Sequence, residues 1–84
     1  MVSIKDVLEQ YLRSEHAIGR NGESIPFDAD LLQEGIVDSL GILRLMAFME
    51  KEFRITIPDE KVIPENFNTI RSLSRLVRDL QNTF

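Results

Sequence analysis

Apolar positions along this 84-residue chain fall into blocks at helical spacing, separated by stretches where the period is lost. Ile4, Val7, Leu8, Tyr11 and Leu12 recur at the spacing that lines one face of an amphipathic helix. Ser3 stands where an N-cap belongs and Asp6 makes the first turn acidic, with the helix expected to fade after Arg13 or Ser14. Tyr11 reads as a core-edge residue whose hydroxyl reaches water. From Glu15 to Val37 the period disappears, and Gly19, Asn21, Gly22, Ser24 and Pro26 mark loop and turn. A loop this long in a compact domain means either function or an element that periodicity does not reveal. Phe27, Leu31, Leu32, Ile36 and Val37 are its expected anchors on the core. Asp28 or Asp30 is placed to start a short helical turn through Leu31 and Leu32. His16 stands alone and reads as a solvated loop histidine.

The strongest helical pattern starts at Ser39 and runs to about Phe53, with Asp38 as its N-cap. Ile42, Leu45, Met46, Met49 and Phe53 form one stripe, assigned to the core. Leu40, Leu43 and Ala47 form a second apolar set beside Ser39, and a helix apolar on two faces is deeply buried or has a partner. Leu40 and Leu43 therefore either extend the core or meet a partner. Gly41 costs about 1 kcal/mol against Ala inside a helix, and open access to Ser39 would explain it. Ile57-Pro58-Asp59 ends this segment in a turn, and Pro64-Glu65-Asn66-Phe67 reads as a short third helix. Asn68 or Thr69 caps a last helix whose stripe is Ile70, Leu73, Val77 and Leu80, with Leu76 beside it. Arg71, Arg75 and Arg78 make a basic stripe on another face, expected to be solvated and locally paired. The fold class that follows is all-α: a small bundle of three main helices and a short third one, with a long first loop.

Composition narrows the function. The length suits one domain spanning 1–84, without repeats or a Pro-, Gly- or Ser-rich linker. There is no cysteine and one histidine, so neither a disulfide framework nor a structural zinc site is expected. A net charge of −4 disfavours nucleic acid, which needs a basic footprint. The N-terminus lacks the apolar core of a signal peptide, and no apolar run reaches membrane-spanning length. A soluble, cytoplasmic monomer is the expectation, and no membrane partner is expected. An activated nucleophile, a metal cluster and a glycine-rich phosphate loop are all lacking, which argues against an enzyme.

Asp38 puts Ser39 in the first turn of the helix, where free N–H groups and a partial positive charge favour an anion such as a phosphate ester. The stretch Gly35-Ile36-Val37-Asp38-Ser39-Leu40 resembles the attachment site of acyl and peptidyl carrier proteins, and Ile57-Pro58-Asp59 is a second matching landmark. The resemblance covers nearly the whole chain and suggests a free-standing carrier. It implies a four-helix bundle in which Ser39 carries 4′-phosphopantetheine, taken from coenzyme A by a phosphopantetheinyl transferase using Mg²⁺. Asp38 would cap the helix and assist the transferase's metal site. Leu40, Leu43, Arg44 and Ala47 would meet partner enzymes, with Ile57 also among the docking residues. Ile57, Val62 and Ile63 would border the arm, and a hydrophobic seal on the bundle is an equally compatible reading of them. The partners implied are an acyl- or aminoacyl-loading ligase or transferase and downstream biosynthetic enzymes.

Carriers of fatty acid synthesis have a strongly acidic second helix, whereas Gly41, Arg44 and Lys51 stand at such positions here, with Glu50 and Glu52 remaining. Charge complementarity governs partner choice. A specialised secondary-metabolite or aminoacyl pathway is therefore the expectation, with a D-alanyl carrier as an alternative. The reading from a different class is an unmodified helical adaptor that binds a partner through the Leu40/Leu43 face.

Overall fold

The structure is a computed structural model that describes residues 3–15 and 25–82. His16 and the loop markers Gly19, Asn21, Gly22 and Ser24 lie outside the described residues. Among the described residues there are four α-helices: α1 (Ile4–Glu15), α2 (Ser39–Phe53), α3 (Pro64–Phe67) and α4 (Ile70–Gln81). A 3₁₀ helix at Asp59–Lys61 precedes α3, and no strand occurs among the described residues. The all-α bundle matches the expectation from periodicity, and α1 continues to Glu15 rather than fading at Arg13 or Ser14.

The helix starts follow their caps. Ser3 Oγ accepts from the Asp6 N–H at 3.1 Å, and Thr69 Oγ1 accepts from the Ser72 N–H at 3.0 Å. Each satisfies one amide that the helix leaves without a partner. Between the two candidates for the last cap, Thr69 takes the role, and Asn68 closes α3. At the C-terminus of α2, Arg54 adopts the left-handed conformation (φ 54°, ψ 51°), and its N–H and that of Ile55 return to the Glu50 carbonyl.

The core is drawn from every main element. Leu8 and Leu12 of α1, Leu31 of the loop, Leu45 and Met49 of α2, and Ile70, Leu73 and Val77 of α4 are fully buried. Each such side chain stabilises the fold by about 1.5–3 kcal/mol relative to exposure. α4 packs against α1, α2 and α3. α1 and α2 also meet where the rings of Tyr11 and Phe48 stack at 4.0 Å, which leaves Tyr11 half-buried at the core edge. Leu80 is half-buried at the end of the α4 stripe.

The part of the first loop that leads to α2 is tied to α4 and α1. The Leu31 N–H donates to the Asn68 carbonyl at 2.7 Å, and the Arg71 N–H donates to the Phe27 carbonyl at 3.1 Å. The second bond satisfies a free amide in the first turn of α4. The Arg71 guanidinium forks onto Asp28, with Nη2 2.9 Å from Oδ2 and Nε on Oδ1. Arg71 thus departs from the expected local pairing: its partner lies far away in sequence. Phe27 has the Arg71 guanidinium carbon 4.7 Å and the Lys5 ammonium 5.5 Å from its ring centroid, both within cation–π range. Glu9 Oε2 accepts the Ile25 N–H at 2.9 Å.

Between these ties the chain makes one capped turn. Asp30, rather than Asp28, starts it: its Oδ1 accepts the Gln33 N–H at 2.9 Å. At the far end the Ile36 N–H returns to the Leu31 carbonyl at 2.8 Å and the Gly35 N–H to the Leu32 carbonyl at 3.2 Å. Gly35 has φ 74°, so this is the left-handed closure that glycine makes without steric cost. Successive residues in such a turn point about 100° apart. With Leu31 directed into the core, Leu32 is turned outward and is 41% exposed, so it is not the anchor expected of it. Val37 is buried, and Phe27 and Ile36 are half-buried.

Two predictions follow from these ties. An added Cβ at Gly35 would meet open space, so the cost of Gly35→Ala is conformational alone. It should destabilise the fold by about 1–2 kcal/mol in chemical denaturation, and Gly35→Asn by less. The hydrogen bond from Arg71 holds the Asp28 carboxyl below its ordinary value of 3.8, against a smaller effect of desolvation that raises it. A depressed folded-state pKa contributes stability that is fully present above 3.8 and is lost as pH falls through the lowered value. The stability gap between wild type and Asp28→Asn should therefore be constant near neutrality and close under acid conditions. Both residues are exposed, so added salt should also shrink it.

Candidate functional site

The site is built at the start of α2. Asp38 is extended (φ −108°, ψ −176°), and its Oδ1 accepts the Gly41 N–H at 2.7 Å while its carbonyl accepts the Ile42 N–H at 3.0 Å. A charge-assisted bond this short fixes the first turn. Ser39 follows as the first helical residue and is exposed. Its own N–H and that of Leu40 belong to the amides that have no intrahelical acceptor, and they sit at the positive end of the helix dipole. The Ser39 hydroxyl thus stands in solvent beside a field that favours an anionic ester.

Gly41 does not have the role expected of it. It is buried in line with Leu45 and Met49, so it belongs to the inward face of α2 and not to the opening beside Ser39.

A groove of about 240 Å³ begins at Ser39 and is walled by Leu32, Ile42, Val62, Ile63, Pro64 and Phe67. The capped turn supplies Leu32 and α2 supplies Ile42. The chain entering α3 supplies Val62 and Ile63, and α3 itself supplies Pro64 and Phe67. Pro64 occupies the first turn of α3, where its missing N–H costs nothing, and Phe67 anchors that helix in the core. Val62 and Ile63 line the groove as expected. Leu32 joins them although the sequence assigned it inward; only the phase of a single turn separates the two outcomes.

Of the readings open to Ile57, the structure supports the seal on the bundle rather than docking or lining of the groove. It is 6% exposed, part of the core, and its N–H donates to Glu50 Oε2 at 2.9 Å. It offers no surface to a partner and does not line the groove. The same bond makes Glu50 a structural acceptor that fastens the segment after α2 back onto that helix. The other proposed contacts are open: Leu40 is 59% and Leu43 60% exposed, and Arg44 and Ala47 are exposed beside them. The described large hydrophobics that lie exposed are Leu32, Leu40, Leu43, Val62 and Ile63; three line the groove and two are on the first turns of α2.

Residues 15–77 match the family described as the phosphopantetheine attachment site. The chain is 31% identical over 77 residues to a D-alanyl carrier protein of Streptococcus suis, covering 92% of this chain and 98% of that protein. It is 36% identical over 55 residues to a D-alanyl carrier protein of Streptococcus uberis, covering 66% of this chain and 70% of the relative. The protein belongs to the phosphopantetheine attachment site family and is a carrier protein, not an enzyme. Its covalent cofactor is 4′-phosphopantetheine, and carriers of this kind work through transferases and ligases. The residues at the head of α2 fit that group: an exposed hydroxyl at a helix N-terminus suits a phosphodiester, and the adjoining apolar groove suits a flexible arm bearing methyl groups. No helix among the described residues is long and apolar enough to cross a membrane.

Asp38→Ala should cost about 1 kcal/mol of stability, because the Gly41 amide loses its acceptor. Chemical denaturation should report the loss, and hydrogen exchange should speed up at Gly41 while the α4 amides keep their relative protection.

Proposed function

We propose that Ser39 is the attachment residue for 4′-phosphopantetheine and that the protein carries an aminoacyl group in a specialised pathway. The observation that carries the reading is the exposed Ser39 hydroxyl at the capped start of α2, next to an apolar groove. The Ser39 hydroxyl oxygen, in a phosphopantetheinyl transferase, attacks the phosphorus of coenzyme A that bears the pantetheine; the new phosphodiester forms as the pyrophosphate bond breaks, and 3′,5′-adenosine bisphosphate and the hydroxyl proton leave. Asp38 holds that turn in shape and presents its remaining carboxylate oxygen towards the transferase's metal site. Leu32, Val62 and Ile63 keep the arm's first segment against the protein surface. Leu40, Leu43, Arg44 and Ala47 dock the partner enzymes. The thiol at the end of the arm holds cargo as a thioester.

The D-alanyl reading is supported by the names of the streptococcal relatives, one of them matched along almost its whole length. Under it, a D-alanine-adenylating ligase would charge the arm. A cytoplasmic, monomeric carrier is part of the same proposal.

Incubation with coenzyme A and a broad-specificity phosphopantetheinyl transferase should add the mass of one phosphopantetheine unit to the wild type. Ser39→Ala should fold normally by circular dichroism and gain nothing. A gain on Ser39→Ala equal to wild type would refute the assignment. If the transferase acts on a control carrier and leaves the wild type unchanged, either the unmodified adaptor or a carrier served by a dedicated transferase replaces it, and a pull-down testing the Leu40/Leu43 face separates the two. Charging the loaded protein with D-alanine, against a panel of other amino acids and short acyl groups, separates the D-alanyl reading from other cargoes.

A further inference from the structure

The outer face of α2 carries a charge pattern that attachment at Ser39 does not use. Leu40, Leu43 and Ala47 form an exposed apolar ridge along it. Arg44 lies one turn beyond Leu40, and Lys51 lies one turn beyond Ala47, so the two cations stand two turns apart along one edge of the ridge. Both are exposed, and neither is ion-paired with a described residue. The acidic residues of this helix are directed elsewhere. Glu50 accepts the Ile57 N–H, and Glu52 borders a separate groove with Tyr11 and Phe48. An apolar, positive strip therefore runs along one helix of a chain whose net charge is −4.

Helix electrostatics accounts for only half of this. Lys51 is in the last turn, where a cation complements the helix dipole, but Arg44 is mid-helix and gains nothing from it. A partner that covers Leu40 and Leu43 must also take Arg44 out of water, which is costly unless an opposite charge meets it.

We propose that α2 docks on an enzyme surface with an apolar pocket for Leu40 and Leu43, rimmed by carboxylates that meet Arg44 and Lys51. The proposal rests on the carrier reading above and specifies the chemistry of the partner. An anionic membrane or a second copy of the chain would also suit such a strip. The net negative charge of the protein opposes both at long range, whereas a local carboxylate rim on an enzyme is met only at close approach.

The test uses the full-length protein and Arg44→Glu/Lys51→Glu, with a phosphopantetheinyl transferase whose own carrier-docking surface is basic as the probe. Loading of the wild type should be slow at low salt. The double variant should be loaded at least about tenfold faster, with the gain fading as ionic strength rises, because steering between exposed charges is screened. Arg44→Gln/Lys51→Gln should fall between them, and it keeps the test open if the reversal unfolds the helix. A broad-specificity transferase serves as the control for folding and for Ser39. If it loads both proteins and the basic-surface probe shows no charge effect, this proposal alone is overturned. If it fails on the wild type, the Ser39 reading falls and takes the proposal with it. Sedimentation velocity and phosphatidylserine vesicles cover the other occupants. Self-association or vesicle binding by the wild type that is lost in the double variant would also overturn the proposal.

Discussion

Burial of the apolar stripe of α4 is the interaction on which the rest depends. Ile70, Leu73, Leu76 and Val77 are buried, and α4 packs against each of the other helices. A chain of this size has one core, and a helix of twelve residues is marginal in isolation. α1, α2 and α3 gain their stability largely from facing this common partner. The same helix organises the loop: its first turn donates the Arg71 amide to Phe27, and the Asn68 carbonyl just ahead of it receives the Leu31 amide. A hydrophobic stripe and a set of free amides act in concert, the stripe holding helices and the amides holding chain.

This arrangement explains how an exposed hydroxyl can be held in a fixed place. Ser39 itself is not packed. The residues on either side of it are: Leu31 and Val37 fix the approach, Asp38 closes the first turn, and Gly41 and Leu45 seat α2 on the core. The capped turn from Asp30 to Gly35 adjusts the chain's direction, which puts Leu32 on the groove. Order comes from the neighbours, and accessibility is left to the serine.

Much of this was legible in the sequence because helix periodicity and caps are local signals. The bounds of α2, the stripe of α4 and the role of Asp38 all depend on residues within a turn or two of each other. The readings that changed depend on long-range packing. Ile57 follows a helix end, and only the bond to Glu50 and the surrounding core decide that it turns inward. Leu32 and Leu31 are chemically identical neighbours, and only the phase of one short turn sorts them. Distance along the chain puts Gly41 beside Ser39, whereas its position on the helix circumference puts it inside. Arg71 lies on the solvated stripe that the spacing predicts, but its partner Asp28 is too far away in sequence for any local rule to pair them.

The burial pattern of α2 has an evolutionary consequence. Leu45 and Met49 hold the fold from one side, while Leu40, Leu43, Arg44 and Lys51 are exposed on the other and lie outside the core. Mutations on the outward side are therefore nearly neutral for folding and free to drift under selection for new associations. One scaffold can then be recruited by unrelated pathways through a few surface substitutions, without passing through an unfolded ancestor.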